Sequence, residues 1–130
     1  MKKKHNFILI DDSPFDLFIF EKLLIKSKVA ESVEKYFSAK NALSWLQETT
    51  DLQNDTIILL DLQMPDMNGF EFMHAFQNLP FEITSKITVY MLSSTIDSRD
   101  IEKIQNNPLI VDLLSKPLNI EILKSKLGIC

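Results

Sequence analysis

Five short apolar runs alternate with longer amphipathic segments, and this alternation constrains the fold more than any other sequence feature. The run Ile57–Leu60 contains no polar residue, which is typical of a strand covered on both faces. Each run precedes a segment long enough for a crossover helix, so neighbouring strands can be parallel. The pattern therefore predicts an α/β fold, (βα)5, in which a doubly wound five-stranded parallel sheet carries helices on both faces. The predicted strands are Phe7–Ile10, Val33–Phe37, Ile57–Leu60, Ile87–Leu92 and Leu109–Leu114.

Local signals mark where the helices begin and end. Ser13 is a suitable N-cap, Pro14 suits the first helical position, and Asp16 completes a capping-box pattern. Gly128 stands where a C-cap glycine belongs. The predicted helices run from the cap Ser13 to about Lys28, from Ser38 to Leu46, from Phe70 to Leu79, from Asp97 to Asn106 and from Asn119 to Leu127.

The length fits a single domain. The chain has 130 residues, which is enough for one hydrophobic core, and neither a linker nor a repeat divides it. We expect one domain over residues 1–130, with residues 1–5, including His5, as a flexible tail. The only cysteine is Cys130, which excludes an internal disulfide and a cysteine-based metal cage.

The charge balance excludes some classes of partner. The net charge is −4, which gives no electrostatic reason to bind nucleic acid, and with Arg99 as the only arginine the bidentate contacts that arginine makes to bases and phosphates are nearly unavailable. No apolar run approaches the ~20 residues that span a bilayer. The run Phe7–Ile10 ends at once in acidic residues, unlike the apolar part of a signal peptide. We therefore expect a cytoplasmic protein that binds neither nucleic acid nor a membrane.

Polar side chains collect at the carboxyl ends of the predicted strands, where doubly wound folds place their sites. Carboxylates held together there would repel one another without a cation among them. A donor set made of oxygen suits Mg²⁺, and no histidine lies at these strand ends to favour zinc. A carboxylate in such a place can also act as a nucleophile and form an aspartyl phosphate. The strand-end residues are Asp11 and Asp12, Asp61, Ser93 and Ser94, and Lys116.

Four segments, in order along the chain, match a known family. The sequence resembles the receiver (response-regulator) domain of two-component phosphorelay signalling, of the stand-alone type, over essentially its whole length. The block Asp61–Gly69, which reads Asp-x-x-Met-Pro-x-Met-x-Gly, is highly specific when both flanking motifs accompany it. The resemblance implies a flavodoxin-like fold. The four segments are Phe7–Asp12, Leu60–Gly69, Met91–Ser94 and Leu114–Leu118.

The resemblance implies a role for each strand-end residue. Asp61 would be the phosphoacceptor, Ser93 the switch hydroxyl and Lys116 the contact to the phosphoryl group. The cofactor would be Mg²⁺. Its ligands would be Asp11 (through water), Asp12, Asp61 and the backbone carbonyl of Gln63.

The resemblance also implies the function and the partners. A histidine kinase or a phosphotransfer protein would supply the phosphoryl group, and the phosphorylated chain would change its affinity for a downstream protein that the sequence does not identify. Such a domain is a phosphoacceptor that promotes its own phosphorylation and dephosphorylation with Mg²⁺. It is not an enzyme that acts on a separate substrate.

Three other functions are compatible with the same fold. A phosphorylation-independent interaction module would need no intact acidic pocket, so the complete set of strand-end residues disfavours it. A phosphatase that works through an aspartyl phosphate would need a carboxylate at position 63, where the sequence has Gln63. A flavodoxin-like cofactor binder would need a phosphate-cradling loop after the first strand, where the acidic pair Asp11–Asp12 would repel phosphate.

One departure from the family pattern concerns the output. Receiver domains commonly carry an aromatic residue three positions before the lysine, and this chain has Leu113 there. Leucine has no hydroxyl to exchange a hydrogen bond between two positions. We therefore predict a switch that works mainly through the loop after Ser93 and the helix Asp97–Asn106.

Overall fold

A computed structural model of the chain describes residues 4–95 and 97–128. The strands are β1 (His5–Ile10), β2 (Ala30–Tyr36), β3 (Thr56–Asp61), β4 (Ile87–Ser93) and β5 (Ile110–Ser115). The helices are α1 (Pro14–Lys26), α2 (Ala39–Glu48), α3 (Gly69–Phe76), α4 (Phe81–Thr84), α5 (Ser98–Gln105) and α6 (Ile120–Lys126). The five strands form one parallel sheet in the order β2-β1-β3-β4-β5, which confirms the predicted doubly wound α/β fold.

Apolar layers cover both faces of the sheet. Leu17 of α1 and Leu123 of α6 belong to the core on one face, and Phe72 of α3 and Ile104 of α5 belong to the core on the other. Burial of each such side chain contributes about 1.5–3 kcal/mol. All residues of β3 are buried, so the carboxyl end of this central strand is held firmly in place.

The structure differs from the sequence-based prediction at the amino-terminal tail. β1 begins at His5, which is buried and whose N–H donates to the Val29 carbonyl at 2.9 Å. The prediction that His5 belongs to a flexible tail was therefore wrong, because strand pairing extends beyond the apolar run Phe7–Ile10. The rest of the predicted tail includes residues 1–3, which lie outside the described residues.

A second difference is an additional helix before β4. α4 is a single turn that follows Pro80 and has no side-chain cap hydrogen bond. It buries Ile83 in the core on the α3 side of the sheet. The structure therefore contains one short helix more than the five predicted strand–helix units.

The first turn of α1 departs from the predicted capping box. Ser13 Oγ accepts a hydrogen bond from the Asp16 N–H at 3.2 Å, as an N-cap should. In a capping box the Asp16 carboxylate would bind the Ser13 N–H, but that N–H donates to Asp11 Oδ1 at 2.9 Å. A complete capping box forms instead at α3, between Asn68 and Glu71. The Asp16 carboxylate is therefore available to a partner outside its own helix.

The helices are short. The longest described helix, α1, has 13 residues. An α-helix needs about 20 residues to cross a bilayer. Across residues 4–95 and 97–128, no helix combines the length and the apolar character that a membrane span requires.

Candidate functional site

The carboxyl ends of four neighbouring strands bring the predicted site residues together. Asp11 follows β1, Asp61 ends β3, Ser93 ends β4 and Lys116 follows β5. These strands are adjacent in the sheet in the order β1-β3-β4-β5. The Lys116 N–H donates to the Ser93 carbonyl at 2.9 Å and so continues the pairing of β4 with β5 beyond the last residue of β5.

Three carboxylates lie close together at this edge. One oxygen each from Asp11, Asp12 and Asp61 can be chosen so that the three lie within 4.8 Å of one another. Asp11 and Asp61 are only 2% and 5% exposed, whereas Asp12 is open to solvent. Mg²⁺ binds through one or two carboxylates and keeps several water ligands. A buried oxygen cluster with one exposed member therefore fits this cation.

Lys116 supplies positive charge to the same pocket. Its Nζ lies 2.7 Å from Asp11 Oδ2 and 3.5 Å from Asp61 Oδ1. It also lies 3.2 Å from Asp16 Oδ2, a contact between the residue that follows β5 and the first turn of α1. The lysine side chain is 15% exposed, so its attraction to these carboxylates is screened less than at a free surface.

The balance of charges shifts two pKa values. Burial, together with the negative charge of Asp11, raises the pKa of Asp61 to about 6 against the opposing effects of Lys116 and of the hydrogen bond from the Gln63 N–H. Burial lowers the pKa of Lys116, but its contacts with Asp11, Asp61 and Asp16 together outweigh burial and hold that pKa above its usual value. The lysine therefore stays charged at neutral pH, and more positive charge near Asp61 would favour the ionised carboxylate.

The start of α3 fixes the loop that follows Asp61. The Gly69 N–H donates to the Leu62 carbonyl at 2.9 Å. A Cβ on Gly69 would lie 3.1 Å from Leu62 Cα and 3.2 Å from the Asp61 carbonyl oxygen, so a side chain would require this backbone to shift, whereas glycine allows the close approach without strain. Within the loop, the Gln63 N–H donates to Asp61 Oδ1 at 3.2 Å and orients the carboxylate.

Ser93 is engaged by the loop that follows it. Its hydroxyl donates to the Thr95 carbonyl at 2.5 Å and accepts from the Thr95 N–H at 3.2 Å. The Thr95 hydroxyl in turn accepts a hydrogen bond from Gln63 Nε2 at 3.4 Å. Ser93 is 1% exposed. The loop after β4 is thus tied both to the end of its own strand and to the loop after β3.

Sequence reasoning missed Asp16 and Thr95. Asp16 was interpreted only as a capping residue. It occupies the third position of α1, close to the carboxyl end of β1, and the Lys116 side chain lies at the same edge of the sheet. Thr95 carries no motif of its own, and its spacing of two residues from Ser93 was the only signal. Leu113, at the position of the usual aromatic residue, is partly buried and packs against the core on the α3 side of the sheet.

Comparisons with known proteins agree with this geometry. A family model described as the response regulator receiver domain matches residues 7–128. A solved response regulator receiver protein from Dyadobacter fermentans DSM 18053 is 46% identical to this chain. The superposition covers 95% of each of the two chains, with a TM-score of 0.89. A two component response regulator from Cytophaga hutchinsonii is 26% identical and has a TM-score of 0.85, with 98% of this chain and 96% of that chain covered.

Curated relatives are longer than this chain. The chemotaxis protein CheV1 of Helicobacter pylori is 36% identical over 67% of this chain, a match that covers 26% of that protein. The two-component response regulator ARR2 of Arabidopsis thaliana is 31% identical over 91% of this chain and 16% of its own length. The match thus spans about a quarter of the first relative and less of the second. The sheet, its acidic edge and these matches together establish that the chain belongs to the response regulator receiver domain family.

Proposed function

We propose that Asp61 accepts a phosphoryl group from a histidine kinase or a phosphotransfer protein. The observation that best supports this proposal is the position of the Asp61 carboxylate. It lies at the end of the central strand, within the cluster that it forms with Asp11 and Asp12, and 3.5 Å from the Lys116 ammonium group. A carboxylate with only a structural role would need neither the crowding by like charges nor the lysine.

The transfer is a displacement at phosphorus. An ionised Asp61 oxygen attacks the phosphorus atom of a phosphohistidine, the new O–P bond forms, and the P–N bond breaks with its electron pair left on the imidazole. With acetyl phosphate as donor, the P–O bond to the acetyl group breaks and acetate leaves. The Lys116 ammonium group, 3.5 Å from Asp61 Oδ1, would neutralise negative charge on the transferred group.

The residues that fit Mg²⁺ would hold it beside the phosphoacceptor. When bound, the ion would neutralise charge on the phosphoryl oxygens. Release of the phosphoryl group is the corresponding attack of water on phosphorus, which breaks the bond to Asp61 and frees inorganic phosphate. The domain thus promotes its own phosphorylation and dephosphorylation. The proposed ligands are Asp11 (through water), Asp12, Asp61 and the backbone carbonyl of Gln63.

The proposed switch begins at Ser93. Its hydroxyl, now hydrogen-bonded to the backbone of Thr95, would turn to a phosphoryl oxygen and release the loop after β4. α5 follows that loop and would shift with it. Leu113 packs against the core and has no hydroxyl. The conformational change would therefore occur in the loop and α5, and not through the rotamer of an aromatic side chain.

The output of this switch is a change in affinity for a protein partner. The proposal covers residues 1–130 as one receiver domain that works in the cytoplasm, where a kinase can use ATP to supply the phosphoryl group. The net charge of −4 disfavours direct binding to nucleic acid, and the proposed output is a contact with a protein.

Incubation with acetyl phosphate and Mg²⁺, followed by intact-mass measurement, tests the phosphoacceptor. We expect one added phosphoryl group in the natural protein and none in Asp61→Asn. Asp66→Asn removes an exposed carboxylate from the same loop and should still be phosphorylated. Full phosphorylation of Asp61→Asn would contradict the assignment.

A further inference from the structure

Asp16 contacts the lysine of the phosphorylation pocket although no family motif includes it. Its Oδ2 lies 3.2 Å from Lys116 Nζ. The side chain of Asp16 is 36% exposed, so solvent screens this pair only in part. Because the Ser13 N–H donates to Asp11 instead, the Asp16 carboxylate is not held by its own helix cap.

The distances from Lys116 Nζ to three carboxylates show which of them hold the lysine most closely. Its Nζ lies 2.7 Å from Asp11, 3.2 Å from Asp16 and 3.5 Å from Asp61. An ammonium group has three N–H donors. Two of them donate hydrogen bonds to Asp11 and Asp16. The 3.5 Å distance from Nζ to Asp61 Oδ1 lies at the limit of hydrogen-bond length. Asp11, which follows β1, and Asp16 of α1 therefore hold the lysine more closely than the phosphoacceptor Asp61 does.

We propose that Asp16 is a positioning residue that holds Lys116 toward α1 and thereby restrains its contact with a phosphoryl group on Asp61. This inference rests on the proposed function of Asp61. A phosphoryl group on Asp61 adds negative charge and attracts Lys116. The lysine must loosen its contact with Asp16 in order to follow, so Asp16 favours the unphosphorylated state.

Two variants of α1 separate this role from a general effect of charge. Asp16→Asn removes one negative charge and keeps the size of the side chain. Glu21→Gln removes one negative charge from the same helix, but Glu21 pairs with Lys35 at 2.7 Å and not with Lys116. Thermal melting shows whether each variant is folded, and Asp16→Ser provides a second variant without the charge if Asp16→Asn is not.

The first readout is the affinity for beryllofluoride, a phosphoryl mimic, in the presence of Mg²⁺. An ion pair of this exposure predicts that Asp16→Asn lowers the dissociation constant about two- to fivefold. Glu21→Gln should leave the dissociation constant unchanged. If the natural protein does not bind beryllofluoride at all, the proposed function fails together with this inference, whereas normal binding that Asp16→Asn leaves unchanged or weakens overturns this inference alone.

The second readout follows Lys116 itself. Trace acetylation with acetic anhydride, quantified by mass spectrometry against the exposed Lys40, reports how firmly each ammonium group is paired. We expect faster acetylation of Lys116 in Asp16→Asn, and of Lys35 but not Lys116 in Glu21→Gln. Tighter beryllofluoride binding with unchanged acetylation of Lys116 would mean that Asp16 acts only by charge repulsion, and would overturn the positioning role.

Discussion

The Lys116 ammonium group lies 2.7 Å from the Asp11 carboxylate, although the two residues are 105 positions apart in the chain. Their side chains are 15% and 3% exposed. A charge buried this deeply is costly unless it is paired, so the lysine stabilises an acidic edge that would otherwise repel itself. A divalent cation that enters the pocket must share Asp11 with this lysine.

Mg²⁺ should stabilise the folded protein, because a ligand that binds only the folded state raises the free energy of unfolding. At a free concentration about a hundredfold above the dissociation constant, the gain is about 2.7 kcal/mol. We expect Asp12→Ala to lose most of this gain and Asp11→Ala to lose less. Thermal melting with Mg²⁺ or with EDTA measures the gain, and Asp51→Ala, an exposed carboxylate elsewhere in the chain, should keep it. Identical melting in Mg²⁺ and EDTA would count against the metal site.

Asp61 should make the metal-free protein less stable as pH rises. Burial raises the pKa of Asp61 in the folded state to about 6, whereas an unfolded chain has an aspartate pKa of about 3.9. Between these two values the folded state holds a proton that the unfolded state has lost, so the free energy of unfolding falls with increasing pH. Urea unfolding in EDTA at several pH values should show this fall in the natural protein and a smaller one in Asp61→Asn. Equal slopes in both proteins would show that Asp61 has no raised pKa.

Gly69 should tolerate no side chain. A Cβ there would lie 3.0 Å from Met91 Cε and 3.1 Å from Leu62 Cα, so we expect Gly69→Ala to shift the start of α3 slightly away from the end of β3. We expect a loss of about 1–3 kcal/mol in the free energy of unfolding, together with slower phosphorylation by acetyl phosphate. Gly128→Ala is the control for phosphorylation: nothing lies within 4 Å of its Cβ, but its φ of +74° is unfavourable for alanine, so it should lower stability and leave the rate of phosphorylation unchanged. Equal stability of Gly69→Ala and the natural protein would show that α3 can move without cost.

Ser93 should transmit phosphorylation without being needed for it. Ser93→Ala removes the hydroxyl that holds Thr95 and that would bind a phosphoryl oxygen. Because a modification shifts an equilibrium only through its different interactions with the two states, the variant should still be phosphorylated but should lose most of the response in residues 93–106. Hydrogen exchange with and without beryllofluoride measures that response. Leu113→Ala is the control, since it should keep both phosphorylation and the loop response while it lowers stability. A full response in Ser93→Ala would exclude Ser93 as the switch.

The sequence alone predicts the fold and the gathering of Asp11, Asp61 and Lys116, because parallel strands place their carboxyl ends at one edge. It does not predict the Asp16–Lys116 contact. Local capping rules predict that the Asp16 carboxylate binds the Ser13 N–H of its own helix. In the folded chain that N–H donates to Asp11, so Asp16 contacts Lys116.

The other differences also come from tertiary structure. α4 has one turn and no side-chain cap, so its local sequence, with Pro80 before it and Glu82 in its first turn, marks it only weakly as a helix, and the burial of Ile83 in the core holds it in place. His5 belongs to β1 because its backbone pairs with the residues around Val29, a partner distant from it in the sequence.

The most direct test of Asp61 as the phosphoacceptor is to trap the acyl phosphate. The protein is phosphorylated with acetyl phosphate and Mg²⁺, reduced with sodium borohydride and digested, and the peptides that contain residues 7–16 and 56–69 are sequenced by mass spectrometry. Borohydride reduces an aspartyl phosphate to homoserine, so we expect homoserine at position 61 and unmodified aspartate at positions 11, 12 and 66. Homoserine at another position, or its absence from a protein that carries a phosphoryl group, would contradict the role of Asp61.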